Sequence, residues 1–107
     1  MDLVVQAYLI CRNLPKQEEY GLTSQIKRAS ISIPANIAEG CSRSSDREFK
    51  RFLEISLGSS FEVETDLILA QRLGLISNGD LDVLLESLHT EQRQINSLIS
   101  KLLIARN

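Results

Sequence analysis

Apolar residues recur along the chain at steps of three and four, the spacing of one helix face, and strand-like alternation is nearly absent. Leu3, Val4, Ala7, Leu9, Ile10 and Leu14 predict a first, short helix. Pro15 ends it, because a proline pushes the residue before it out of the α region. Lys16 to Gly21 reads as a polar connector, with Gly21 as a break. A second helix is expected from about Leu22 to Glu39, with Leu22, Ile26, Ala29, Ile33 and Ile37 facing inward. Pro34 lies inside it, removes one donor and crowds the preceding turn, so loosening or a kink is expected near Ser30 to Ile33. Gly40 suits the C-terminal cap.

Ser45, Asp46, Arg47 and Glu48 form a capping box ahead of a new apolar-periodic run. A third helix should run from Asp46 to about Leu73, with Gly74 as its stop. Its inner stripe reads Phe49, Leu53, Ser56, Ser60, Val63, Leu67 and Ala70. Gly58, Ser59 and Ser60 sit at its centre, and a glycine there costs about 1 kcal/mol relative to alanine. Close approach of another helix is the expected reason for it. Ser77 to Asp80 make a turn and a new N-cap. The fourth helix, about Asp80 to Ala105, carries Leu81, Leu84, Leu85, Leu88, Ile95, Leu98, Ile99, Leu102 and Leu103. Four helices with short connections predict an all-α, up-down-up-down four-helix bundle spanning residues 1–107 as one domain. The first helix is much shorter than the last two. The expectation is a chain shortened at its N-terminus, or a partner subunit that covers the exposed end.

Composition narrows the class without naming a chemistry. With 43% apolar and 24% charged residues, 5 Gly, 2 Pro and 2 Cys, the chain is neither collagen-like, disordered nor a disulfide framework. The longest uncharged run, Ala29 to Ala38, is broken by polar residues and Pro34, so no membrane span is expected, and cytoplasm is the default location. Cys11 and Cys41 lie far apart with no metal-ligand spacing around them, and free thiols are expected. His89 lies mid-pattern in the last helix and reads as structural. Glu62, Glu64 and Asp66 complete no metal-binding motif with it, so neither an enzyme nor a cofactor is expected.

Charge is segregated beneath a net value of −2. Residues 27 to 51 carry six bases, Lys27, Arg28, Arg43, Arg47, Lys50 and Arg51, against three acids. Residues 52 to 92 carry eight acids against Arg72 alone, and residues 93 to 107 are basic again through Arg93, Lys101 and Arg106. Arg43, Arg47, Lys50 and Arg51 can share one end of the bundle, because 47, 50 and 51 are neighbours at helical spacing. Two readings stay open: a phosphate-contacting patch, or a solvated face with intersubunit ion pairs. Tyr8, Tyr20, Phe49, Phe52 and Phe61 mostly fall on apolar stripes, which disfavours base stacking.

Ser32, Asn36 and Glu39 follow at three- and four-residue steps and form a polar face of the second helix. They can satisfy backbone groups loosened by Pro34, pair across a subunit interface, or line a ligand or nucleic-acid surface. Glu39 with Arg28 or Arg43 is the expected ion pair.

The stretch YGLTSQIKRASISIPANIAEGCSRSSDREFKRFLEISLG, from Tyr20 to Gly58, is the distinctive part. It closely resembles the bacterial four-helix-bundle family of 23S rRNA intervening-sequence proteins. The family pattern is met here by Pro15, Glu18, Glu19 and Tyr20 to Leu22, then Thr23 to Ile26, Arg28, Ala29 and Ser32 to Pro34. Asn36 to Gly40, Phe52, Leu53, Gly58 and Ser59 complete it. Family members usually carry about a dozen further residues before the position of Met1. The resemblance implies a bundle that assembles as a pentameric ring. The related accessory protein of diversity-generating retroelements has the same pentameric bundle and binds nucleic acid and a reverse transcriptase. No catalytic set comes with the family. A non-enzymatic homo-oligomer that contacts RNA or DNA through the basic segment is therefore expected. The alternative is a protein-interaction scaffold that docks a partner protein through the acidic surface of residues 62 to 91.

Overall fold

The computed structural model describes residues 2–106, with side chains as far as residue 102. Met1 and the side chains of Leu103, Ala105 and Arg106 lie outside the described residues, as does any helix start ahead of Met1. Four α-helices are described: α1 (Asp2–Cys11), α2 (Leu22–Cys41), α3 (Asp46–Arg72) and α4 (Asn78–Arg106), with one 3-10 turn at Lys16–Glu18. Each helix packs on its two neighbours in a closed square, α1 on α2 and α4, α3 on α2 and α4. The result is an elongated bundle of 48 × 23 × 18 Å. At 1.5 Å per residue α1 spans about 15 Å and α4 about 43 Å, so α1 flanks only part of the bundle's length.

The inward stripes match those expected except at Leu9 and Leu98, which are exposed. Leu3, Ala7, Ile26, Ile33, Leu53, Val63, Leu67, Leu84, Leu88 and Ile95 are buried in one core. Burying a leucine or isoleucine of this kind stabilises by about 1.5–3 kcal/mol. Helix ends follow local chemistry. The Ser45 hydroxyl accepts from the Glu48 amide at 3.2 Å and starts α3. Gly74, at φ +76°, ends it in a Schellman turn, with Leu75 N–H donating to Ala70 C=O and Gly74 N–H to Gln71 C=O. The Ser77 hydroxyl accepts from the Asp80 amide at 3.0 Å, so Ser77 is the cap and α4 starts two residues earlier than expected. In turn, α1 stops at Cys11 rather than at Leu14, and single-turn bonds carry the chain to Pro15.

The α2–α3 contact is the most intimate, and it is antiparallel. Ser32 meets Ser59, Ile33 meets Ser56, and Gly40 meets Phe49 and Phe52. Ser56 donates to the Ile33 carbonyl at 2.8 Å, and the Ser32 and Ser59 hydroxyls share a hydrogen bond at 2.7 Å. Asn36 Nδ2 donates to both the carbonyl and the hydroxyl of Ser32, at 2.8 Å each. Small hydroxyl residues thus let the two backbones approach while leaving their polar atoms satisfied.

Four expectations are corrected here. Helix α2 runs unbroken through Pro34, held on one side by this polar seam. Gly40 is not the cap, since α2 continues through Cys41; it lies buried against the Phe49 ring and the Cβ of Phe52. Gly58 does not mark the close approach, because nothing would meet a Cβ there within 4 Å. Tyr20 and Phe61 leave the apolar stripes, at 93% and 51% exposed.

Two predictions follow from packing and burial. A Cβ at Gly40 would stand 2.8 Å from Phe49 Cδ1 and 2.9 Å from Phe52 Cβ. Gly40→Ala should therefore lower the urea midpoint by an overpacking cost of about 1–3 kcal/mol, despite alanine's better helix propensity. Burial, and then the neighbouring Glu62 carboxylate, push the Asp66 pKa above its ordinary 3.8. The folded chain then holds that proton more tightly than the unfolded one, so this group costs stability as pH rises from 3.8 through the folded value. Asp66→Asn should raise Tm at neutral pH, and the gain should vanish in acid, as calorimetry across pH would record.

Candidate nucleic-acid interface

The α2–α3 connection, residues 42–45, brings the end of one helix beside the start of the next. Arg43 stands in this connection. Its guanidinium pairs with the Glu39 carboxylate one turn back and lies 5.0 Å from the centroid of the Phe52 ring. The Glu39–Arg43 pair is one of the two expected. Phe52 therefore meets Gly40 through its Cβ and carries a cation on its ring. Ser42 closes the turn, its hydroxyl donating to the Glu39 carbonyl at 2.7 Å.

On α3, Arg47, Lys50 and Arg51 line one shallow groove together with Ser45, Glu48 and Glu54. Lys50 reaches Glu54 at 3.9 Å, an i,i+4 pair of the kind worth well under about 1 kcal/mol. Among the described residues, Arg47 and Arg51 form no ion pair and are exposed one turn apart. Asp46 and Glu48 share this first turn, and with Glu39 and Glu54 they balance the four cations in formal charge, so the bias of the corner toward anions comes from the two exposed guanidiniums and the positive end of the α3 dipole.

Lys27 and Arg28 stand elsewhere. From Arg28 to the end of α2 is about 20 Å at the helical rise, so these two cations do not join the corner. Lys27 Nζ lies 5.1 Å from the Tyr8 ring centroid, between α1 and α2. Burial pushes the Cys11 thiol pKa up, and the Lys27 charge partly offsets this. Arg28 is exposed. The polar trio also divides: Ser32 and Asn36 belong to the half-buried seam with α3, whereas Glu39 is exposed beside Arg43. The bonds of Ser32 to Ser59 and of Asn36 to Ser32 supply partners within the chain for groups whose partners the sequence left open.

Sequence reasoning missed the contact of Arg43 with Phe52 and the cluster on α3–α4. There Glu64 accepts from Gln92 Nε2 at 3.0 Å, and His89 Nε2 lies 3.6 Å from the same carboxylate. A polar residue at position 92, inside the α4 stripe, was the signal for it. Among the described residues no group of three His, Cys, Asp or Glu side chains could hold a metal ion. No described helix is long and apolar enough to cross a membrane.

Comparison with curated proteins gives no match. Among solved structures, the chain is similar to a protein of unknown function from the S23 ribosomal protein family of Bacteroides thetaiotaomicron. The two share 28% sequence identity at a TM-score of 0.79, over 90% of this chain and 87% of that one. The family model described as 23S rRNA-intervening sequence protein matches residues 1–97. That match covers all of α1, α2 and α3 and most of α4, the elements that build the seam and the basic corner, and the chain belongs to the 23S rRNA-intervening sequence protein family.

Proposed function

We propose that the chain is a non-enzymatic assembly protein that contacts nucleic acid through the α2–α3 corner. The observation that carries this reading is the pair Arg47 and Arg51, exposed one turn apart and without an ion-pair partner among the described residues. Exposed guanidiniums fit phosphate oxygens in bidentate fashion and need no base contact to bind. Lys50 lines the same groove, and Arg43 flanks it through the connection. Two or three phosphate contacts per subunit give weak binding, which salt screens strongly.

Assembly turns such a corner into a useful one. The family resemblance implies a pentameric ring, and repeated corners on one ring would bind one phosphate chain with added avidity. The apolar groove lined by Val5, Tyr8 and Ile31 between α1 and α2 supports assembly, because Val5 is 59% and Ile31 45% exposed. Such a patch is costly to leave in water. In this reading Glu39, exposed beside Arg43, contributes to the contact between subunits.

Reversing both charges, Arg47→Glu with Arg51→Glu, should abolish binding of a labelled nucleic acid in fluorescence anisotropy while helicity by circular dichroism stays unchanged. Affinity retained in the double variant would refute the assignment. Glu39→Ala should lower the mass measured by light scattering on dilution. An unchanged mass would remove Glu39 from the subunit contact.

A further inference from the structure

Gly58 is unexplained by the chain's own packing. It stands midway along α3, where glycine costs about 1 kcal/mol relative to alanine, and nothing lies within 4 Å of where its Cβ would be. A second stripe of the helix runs through it. Arg51, Ile55, Gly58, Glu62, Thr65 and Leu69 follow at alternating steps of four and three, and all of them are exposed. That is a heptad seam on the outer side of α3, turned away from the core stripe of Leu53, Val63 and Leu67. It runs for about 27 Å at the helical rise. Ile55, Phe61 and Leu69 along it remain 42%, 51% and 46% exposed. Gly58, Phe61, Glu62 and Asp66 line one shallow groove beside Gln25. Glu62 and Asp66 form no ion pair among the described residues, and neither does Arg51.

The seam is complementary to itself. Its free guanidinium lies on one side of Gly58 and its free carboxylates on the other. With a second α3 laid antiparallel on the first, glycine on glycine, Arg51 of each copy falls between Glu62 and Asp66 of the other, and Ile55 falls opposite Phe61. Glu54, the acid opposite Glu62, is already held by Lys50 of its own chain at 3.9 Å. The glycines let the two backbones meet at the crossing. Other occupants fit worse. A parallel copy in register sets Arg51 on Arg51 and Glu62 on Glu62. A head-to-tail copy, displaced along the helix until Arg51 meets Glu62, sets Leu69 on Gly58 and leaves one arginine and one glutamate unmatched. A foreign basic helix answers the carboxylates and repels Arg51. Of these, the antiparallel copy alone supplies the cation, the carboxylates and the second glycine together. It also leaves the α1–α2 groove free, because α1 does not pack on α3. We infer that the outer face of α3 pairs with the same face of a second copy, antiparallel and two-fold about Gly58, with Arg51 of each copy on Glu62 and Asp66 of the other. Arg51 then holds either a phosphate or the second copy, and the contact stands without the nucleic-acid reading.

Light scattering of the full chain across concentration reads this contact. Arg51→Glu alone sets like charges against each other at both ends of the seam, and so does Glu62→Arg. Each should weaken pairing by roughly tenfold or more, and show half the parent's mass where the parent is paired. An equal mixture of the two variants restores opposite charges at both ends and should recover the parent's mass. Gly58→Leu favours the helix and has room on its own chain, so it should raise Tm while halving the mass. Glu62→Arg keeps Arg47 and Arg51 in place, and its mass should fall whether or not the parent binds nucleic acid. That keeps failure of this inference distinct from failure of the nucleic-acid reading. A parent no heavier than its single variants, a mixture that stays at half the mass, or Gly58→Leu pairing as the parent does would overturn the inference. So would a parent mass that climbs with concentration past twice that of the single variants, the sign of an open head-to-tail contact.

Discussion

The structure depends on how closely α2 and α3 can approach. Gly40 has no side chain, so the ring of Phe49 and the Cβ of Phe52 lie directly on the α2 backbone. Further along, Ser32, Ser56 and Ser59 replace bulk with hydroxyls that bond across the gap. Interiors are close-packed, and an antiparallel pair in this register has little freedom to slide. That register fixes where α3 begins relative to where α2 ends. It therefore fixes the connection that holds Arg43 and the first turns of α3 that hold Arg47 and Arg51.

Charge placement follows from the same geometry. Cations cluster where the chain turns between α2 and α3, and acids dominate the segment from 52 to 92. Within a screening length of about 10 Å at moderate salt, local pairs rather than the net charge of −2 set the potential at each surface. Arg47 and Arg51, which form no ion pair among the described residues, stand exposed at the α2–α3 corner.

Much of this was legible in the residues. The stripes of all four helices, the Ser45 cap, the Gly74 stop and the Glu39–Arg43 pair were readable, because periodicity, capping chemistry and i,i+4 spacing are local rules. The glycines were not. A glycine after a polar helix end reads as a cap, yet Gly40 serves packing against a helix that the local pattern does not reveal. Gly58 sits among serines that do pack, but it faces open space, and its one-residue offset from Ser59 turns it off the seam. The helix through Pro34 was legible, but its unbroken run was not, since the long-range bonds from Ser56 and Ser59 that brace this stretch lie outside the local pattern. The basic segment looked continuous in sequence. A helix rise separates Lys27 and Arg28 from the corner, and Tyr8, distant in the chain, takes up Lys27.

The central claim is that the corner holds phosphates by charge. The most direct test is anisotropy of the assembled protein with labelled duplex DNA, structured RNA and single strands, each titrated with salt. The account predicts binding that falls steeply as salt rises, with a logarithmic slope of roughly −0.7 to −0.9 per phosphate contacted. No binding to any of the three at low salt, by protein shown to be assembled, would contradict it and leave the arginines as structural charge.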